Sequence, residues 1–413
     1  LVAPIWACAR NTGGGQRTFH LYKALTEFCS VDVLLVSQPE FGNLEALYPN
    51  LHRELFPAAQ DIHLHRSANA AHPKAAAARR LLRRATKALR PPQQTYAPSP
   101  TALRHLDELL ARTRYDAIVG RYLLETSQSG VLTQATVPVL LDVDDRDDKV
   151  LETRLRAGTT PPWHKPWLAW RLAQTRPVIE RLVQRCAHLW LASEADGLEV
   201  EHPSRSVLPN VPYLPEGTGR MVTPMPGTKT CIFVGTCIHR VNREGVRHFV
   251  ERCWPAIRRA EPQACFRVVG SGGWDALRDE LERHPGVSVV GSVPSVADEY
   301  RAAAFAVVPL FEGSGTKIKV LESLLFGRTL VAHDHAVRGL EDLRHGESLM
   351  VARSDEAFAT QVLSLYADPA AAAAMAAHGR NIVEREYSYA RVARVVRDDC
   401  TRVLARTVES DRG

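Results

Sequence analysis

The sequence predicts an α/β protein made of two Rossmann-like halves. Residues 230–332 alternate short apolar runs of strand length with stretches of helical periodicity. Strand–helix alternation of this kind makes a parallel sheet covered on both faces. The chain also opens with an apolar run, a glycine-rich turn, a helical stretch and a second apolar run, the beginning of a Rossmann-like unit. A Pro/Gly-rich stretch over residues 207–227 reads as the linker between the halves. A length of 413 residues fits two or three domains.

Composition narrows the class. The apolar share of 45% and charged share of 24% are those of a soluble globular protein with ample chain to bury cores. The longest uncharged apolar runs, such as residues 302–311, are too short to span a bilayer. No charged segment followed by an apolar one opens the chain. It begins at Leu1 inside a strand-like run, so a few native residues are expected to be missing. The eight cysteines form no CxxC and no Cys/His pair at metal spacing, which points to reduced, buried thiols in a cytoplasmic protein. Residues 62–106 contain no acidic residue but nine basic ones, from Arg66 to Arg104, on a net charge of +6. That local field favours an anionic partner.

In the first half, residues 2–7 read as a strand. Residues 11–17 (NTGGGQR) form a glycine loop that feeds a helix to about residue 28, and residues 31–37 form a buried-type strand. Three successive glycines let a ligand approach the backbone closely, and the plain alternative is a βα turn. No GxGxxG is present, which weakens a nicotinamide reading. Residues 43–55 read as irregular and 67–89 as an Ala/Arg-rich helix. That helix would either lie on anionic lipid or be solvated with basic decoration. Nucleic acid is disfavoured because no aromatic residue interleaves before Tyr96. Residues 91–100 read as a linker, 101–112 as a helix, 115–120 as a strand ending at Arg121, and 137–142 as the next strand. Asp142, Asp144, Asp145, Asp147 and Asp148 follow at its carboxyl end, where α/β proteins place ligand chemistry. They fit a metal site, metal-free acceptor or catalytic carboxylates, or a helix N-cap cluster. Residues 159–171 set Trp163, Trp167 and Trp170 among prolines, a face for sugars or interfaces or else core. Residues 175–188 read as a helix, 189–193 as a strand and 194–201 as a short helix.

In the second half, strands are expected at residues 230–235, 265–270, 287–290, 305–310 and 329–332, and helices at 241–259, 274–283, 295–302 and 317–326. The stretch FAVVPLFEGSGTKIKVLESLLFGRTL (305–330) reads as strand, glycine loop, helix, strand. A glycine loop opening a helix aims backbone N–H groups and the positive helix end at its ligand. Lys317 is cationic where the dipole prefers an anion, which makes sense if an external anion lies there. Glu322 has apolar helical neighbours Ile318, Leu325 and Phe326. A buried carboxylate needs donors, and a ribose diol supplies two. The plain alternative is an i−3 pair with Lys319.

These stretches resemble retaining glycosyltransferases of family 4. The residues that carry the likeness are FVGTCIHRVNREGVRHFVERCWPAI (233–257), FRVVGSG (266–272), residues 287–332, HGESLMVA (345–352) and EREYSYARVARVV (384–396). GGGQRTFHLYKAL, the acidic stretch after VLLD, ASEAD and LPNVP extend it loosely into the first half. The likeness is to the subgroup with a Gly-Gly-Gly-Thr-Arg/Lys type donor loop. It implies the GT-B fold, with two Rossmann-like domains facing each other across a cleft. Residues 1–208 would bind the acceptor and 209–388 the nucleotide-sugar, while 389–413 would pack back on the first domain.

The resemblance also implies roles. Glu322 would hold the donor ribose, and Lys317 and Arg240 its diphosphate. Gly313, Ser314, Gly315 and Thr316 would offer backbone N–H groups to sugar and phosphate. Gly270, Ser292 and Val293 lie where the base is read, and Gly14 and Gly15 would close on the donor. Asp145 and Asp147 match an acidic pair of the subgroup, with Asp145 the candidate general base. The histidine many members carry after the first half's YDAIV-type strand is Arg121 here, which cannot accept a proton but would stabilise departing phosphate. Ser314 stands where a first glutamate is common, with Glu312 displaced by two. The implied activity is metal-independent, retaining transfer of a sugar from a UDP- or GDP-sugar to an acceptor hydroxyl, with no cofactor. A carbohydrate or lipid-linked acceptor in polysaccharide, glycolipid or glycoconjugate biosynthesis is expected. So is a cytoplasmic location with peripheral membrane contact through residues 66–104, and no nucleic acid. The competing readings are a silent nucleotide-sugar-binding partner and a GT-B phosphorylase or epimerase.

Overall fold

A computed structural model of the chain describes residues 1–8, 13–37, 51–66, 90–144, 146–156, 160–212, 227–312 and 318–410. The chain divides into two compact units. One is Leu1–Pro209 together with Tyr389–Gly413, and the other is Asn210–Ser388.

The first unit is built on a seven-stranded sheet in the order β3-β2-β1-β4-β5-β6-β7. Its strands are β1 (Val2–Pro4), β2 (Val33–Ser37), β3 (Ile62–Arg66), β4 (Ile118–Arg121), β5 (Val139–Val143), β6 (His188–Leu191) and β7 (Arg205–Val207). Every neighbouring pair is parallel. The inner strands are largely apolar because both faces are covered, whereas the edge strands β3 and β7 are mostly polar. Helices α1 (Gly13–Thr26), α2 (Pro100–Arg112), α3 (Leu123–Gln128), α4 (Asp147–Arg156) and α5 (Lys165–Val183) belong to this unit. Ser99 caps α2 by accepting from the Ala102 amide at 3.1 Å, with Pro100 in the first turn.

The second unit holds a six-stranded parallel sheet in the order β10-β9-β8-β11-β12-β13. The strands are β8 (Thr230–Val234), β9 (Cys265–Val269), β10 (Val287–Gly291), β11 (Phe305–Val308), β12 (Leu330–His333) and β13 (Met350–Ala352). Helices α6 (Arg240–His248), α7 (Val296–Ala302), α8 (Ile318–Leu325), α9 (Asp355–Ala367) and α10 (Pro369–Glu386) surround it. Phe233, Phe249, Trp254, Phe266 and Phe305 lie at the centre of its core. The chain then returns to the first unit as α11 (Tyr389–Ser410), which packs on α1.

Several local expectations change. The Trp-rich stretch is helical from Lys165, ten residues earlier than the periodicity indicates. Pro166 sits in the first turn, where its missing N–H costs nothing, and Pro177 is held inside the helix. The helix expected at 241–259 is interrupted by a π turn over Phe249–Cys253, just ahead of Pro255, which cannot donate the next ladder bond. Residues 5–7 form a 3₁₀ turn rather than strand, and Pro92–Tyr96 is a short helix inside the expected linker. Strand β3 went unread because IHLHR is an edge strand with three polar residues in five. The expected basic helix at 67–89 lies outside the described residues.

Candidate functional site

Both sheets reverse their strand order once, between β1 and β4 and between β8 and β11. At such a point the connections leave in opposite directions and the carboxyl ends of the strands open a crevice. The candidate residues that are described lie near these two places, one in each unit.

In the first unit, α1 begins at Gly13, so Gly14 and Gly15 lie in the helix's first turn and not in a loop ahead of it. A Cβ on Gly14 would stand 2.8 Å from the Tyr122 hydroxyl, too close for any side chain without displacing it. Tyr122 follows β4 and is the one non-glycine residue with positive φ (65°) among the described residues. Such a backbone persists only where its surroundings hold it. Here the Tyr122 amide donates to the Asp142 carbonyl at 3.1 Å and its hydroxyl to Asp144 Oδ2 at 3.3 Å.

Two arginines and two aspartates meet beside it. Arg17 donates from Nε and Nη2 to Asp142 at 2.9 and 2.6 Å, and from Nη1 to the Leu208 carbonyl at 2.7 Å. Arg121, fully buried, has Nε 3.3 Å from Asp142 Oδ2 and donates from Nη2 to Asp144 Oδ2 at 2.8 Å. Its guanidinium stacks 3.8 Å from the centre of the Tyr122 ring. Arg121 Nη1 is buried with no hydrogen-bond partner among the described residues. Burial opposes the charge on Arg121, but the fields of Tyr122, Asp142 and Asp144 outweigh it and raise its pKa. Burial likewise pushes Asp144 up, and Arg121 and Arg17 overcome this and hold it below the ordinary carboxylate value. Asp142 is sealed, whereas 11% of the Asp144 side chain remains exposed.

The remaining aspartates divide. Asp148 is buried and receives both Nε and Nη2 of Arg146, at 3.0 and 2.7 Å. Asp147, exposed in the first turn of α4, accepts from the Tyr96 hydroxyl at 2.6 Å. Burial and Asp147 together push the Tyr96 phenol far up. Asp145 lies outside the described residues. Among the described residues no group of three or more His, Cys, Asp or Glu is placed to hold a metal ion.

In the second unit, the loops after β8, β9 and β10 close on one another through glycine. Gly270 has φ +140°, and a Cβ there would meet the Gly235 carbonyl oxygen at 2.1 Å. Gly270 N–H donates to the Gly291 carbonyl at 2.8 Å, and Trp274 Nε1 donates to that of Gly235 at 2.8 Å. Ser292 is exposed, while Val293 packs against the core. Across the order reversal, Arg240 at the start of α6 pairs through Nη2 with Glu312 Oε1 at 2.6 Å. Glu312 is buried and Arg240 is 41% exposed. Gly245 allows this approach of α6 to the end of β11: its Cβ would lie 2.2 Å from the Pro309 carbonyl oxygen.

Glu322, in α8, accepts from the Tyr300 hydroxyl at 3.1 Å. Tyr300 is itself buried and stacked on Phe326, with ring centroids 4.9 Å apart. Burial raises the Glu322 pKa, and Tyr300 and the charge of Lys319 only partly offset it. The carboxylate is therefore under-solvated and would gain from further donors. Gly313, Ser314, Gly315, Thr316 and Lys317 lie outside the described residues.

Sequence reasoning missed Arg17, Tyr122 and Tyr300, and named Asp144 only as one of the acidic cluster. Asp144 was within reach, since it sits two residues beyond Asp142. The others had no local signal: Arg17 meets Asp142 across 125 residues, and Tyr300 meets Glu322 across 22.

Residues 228–368, within the second unit, match the family model described as Glycosyl transferases group 1. No curated protein sequence matches the chain. Among solved structures it is similar to the sucrose-phosphate synthase of Thermosynechococcus elongatus, with TM-score 0.67 and 16% identity, over 98% of this chain and 96% of that one. It is similar to Anabaena HepE in complex with UDP and glucose, with TM-score 0.59 and 13% identity over 94% and 96%. A glycosyltransferase from Rickettsia africae ESF-5 matches with TM-score 0.60 and 10% identity over 98% and 97%. The chain thus has the GT-B fold, two parallel-sheet α/β domains, and its second domain carries the group 1 glycosyl transferase pattern.

Proposed function

We propose that the protein transfers a sugar from a nucleotide-sugar to an acceptor hydroxyl with retention of anomeric configuration. The observation that carries this reading is Glu322, a half-buried carboxylate with the Tyr300 hydroxyl as its one side-chain donor among the described residues, in the helix after β11 and inside the matched segment. A ribose diol would supply the donors it lacks. Arg240 and Lys317 would balance the diphosphate, with no bound metal needed. The C–O bond from the anomeric carbon to phosphate breaks while the acceptor oxygen bonds on the same face. The acceptor's proton passes to the departing phosphate oxygen. On the acceptor side Asp144 is the better candidate than Asp147: Arg121 and Tyr122 fix one oxygen, and the side chain reaches the surface. Kept ionised, it orients a hydroxyl and is a weak base. The HepE complex with UDP and glucose favours a uridine diphosphate donor. Acceptors in polysaccharide, glycolipid or glycoconjugate assembly fit this chemistry.

The test is calorimetric binding of UDP, GDP, ADP and CMP, with chelator present, to the wild type and Glu322→Ala. Losing two charge-assisted hydrogen bonds costs about 2–4 kcal/mol, so affinity should fall roughly 30-fold or more. The sign with pH follows. Ribose donors favour the ionised carboxylate, so binding should weaken as pH falls toward the raised Glu322 pKa. Equal binding by wild type and mutant removes the ribose role. Tight binding with neither transfer nor donor hydrolysis supports the second reading, a silent nucleotide-sugar-binding partner. The sealed Arg121, which is no proton acceptor, favours that alternative.

A further inference from the structure

Helix α5 carries its apolar residues on two faces. One packs into the first unit, burying Leu168, Thr175, Ile179 and Val183. The other is open. Pro162, Trp163, Pro166, Ala169, Trp170 and Ala173 recur at helical spacing along the 3₁₀ turn Pro162–His164 and the first turns of α5, and all are exposed. Trp163 is 82% exposed and Trp170 48%. An uncovered tryptophan face of this kind marks an interaction surface. Its borders are mainly basic, with Arg156 and Arg176 paired to Glu152. Residues 153–179 include Arg154, Arg156, Lys165, Arg171 and Arg176 and no acidic residue. Arg154, Lys165 and Arg171 have no carboxylate partner among the described residues. Arg171 Nη1 donates to the Arg90 carbonyl, which joins this segment to the acid-free run 62–106.

We infer that the Trp163–Trp170 face of α5 seats the protein on an anionic lipid bilayer. Tryptophan prefers the headgroup level, where its ring is buried and its N–H stays wet. Basic flanks on an apolar helical stripe are the pattern of a helix lying in the interface plane. No described helix is long and apolar enough to cross a membrane, which leaves the surface as the place for this stripe. The inference goes beyond the transfer reading and is tested without donor or acceptor.

The experiment is co-sedimentation of the full chain with phosphatidylcholine vesicles with and without 30% phosphatidylglycerol, alongside tryptophan fluorescence. Wild type should bind the anionic vesicles with a blue shift and release at high salt. Trp163→Ala/Trp170→Ala should lower partitioning roughly tenfold or more, and Lys165→Glu/Arg171→Glu should abolish the preference for anionic lipid. All four side chains lie at the surface, and unchanged melting of the variants shows that they fold. Absence of wild-type binding, or equal binding by the tryptophan variant, overturns the inference. So does a dimer in analytical ultracentrifugation that the tryptophan variant dissociates, because the face would then be covered by a second copy. Nucleotide calorimetry on the same preparations keeps this result separate from the fate of the transfer reading.

Discussion

Asp142 shows how little of the first unit's site is local. Its carboxylate is sealed and takes charge from Arg17 on α1 and Arg121 on β4. The sequence places Asp142 at a strand end among other aspartates, and nothing nearby says which of them is structural. The decision is made by arginines 125 and 21 residues away. Asp142→Ala leaves two buried guanidinium groups short of a counter-charge, which costs about 3–5 kcal/mol. Urea unfolding should show it as a lowered midpoint with nucleotide binding intact. An unchanged midpoint would mean that the cluster is more hydrated than its burial indicates. Asp144→Asn keeps Arg121 facing a carbonyl oxygen but removes one of its two counter-charges, and should lower the midpoint less than Asp142→Ala does. The cysteines were more legible. Six of the eight are buried, and desolvation pushes Cys8, Cys186 and Cys231 up to about 12, so they are inert thiols at neutral pH. Cys29 and Cys265 are exposed, against expectation, the first just past the end of α1 and the second at the first position of β9.

At the scale of elements, the second half was read almost strand for strand because parallel strands buried on both faces are continuous apolar runs. The prolines of the Trp-rich stretch hid the start of α5, and no periodicity pointed to the tertiary tie that holds α11. There Asp399 accepts from Trp190 Nε1 at 2.9 Å and the Ser206 hydroxyl at 2.5 Å, with His188 Nε2 at 3.2 Å. Burial would raise the Asp399 pKa, but the hydrogen bonds from His188, Ser206 and Trp190 depress it well below the carboxylate range. A depressed carboxylate contributes stability that is present above its unfolded value, near 3.9, and lost as pH falls through its folded value. The tie should therefore hold at pH 5 and weaken only in stronger acid. Asp399→Asn should cost about 1–3 kcal/mol at pH 7 and flatten the acid limb of the stability curve. Hydrogen exchange along α11, measured between pH 7 and pH 3, reads both. Protection lost already near neutral pH would show that the Asp399 carboxylate does not carry the tie.

At the scale of the whole molecule, the two units differ in how the chain supplies them. Asn210–Ser388 is contiguous and encloses one core around the Phe233, Phe249 and Phe266 rings. The first unit is discontinuous and needs α11, from the far end of the chain, to cover α1 and satisfy Trp190. Truncation should thus be asymmetric. A fragment of residues 210–388 should fold alone, melt cooperatively, and bind the preferred nucleoside diphosphate within about tenfold of the full chain, because Glu322, Tyr300, Arg240 and Glu312 all lie within it. A fragment of residues 1–388 keeps the second unit but leaves the buried Trp190 N–H and the Ser206 hydroxyl without their carboxylate, at about 1–3 kcal/mol each, and exposes the side of α1 that α11 covers. Circular dichroism and calorimetry on both fragments give the comparison. If 210–388 folds but binds no nucleotide, the assignment of the nucleotide to the second unit alone is wrong. If it binds as well as the full chain does, the second unit alone holds the nucleotide, and Gly14→Ala in the full chain should leave nucleotide affinity where it was.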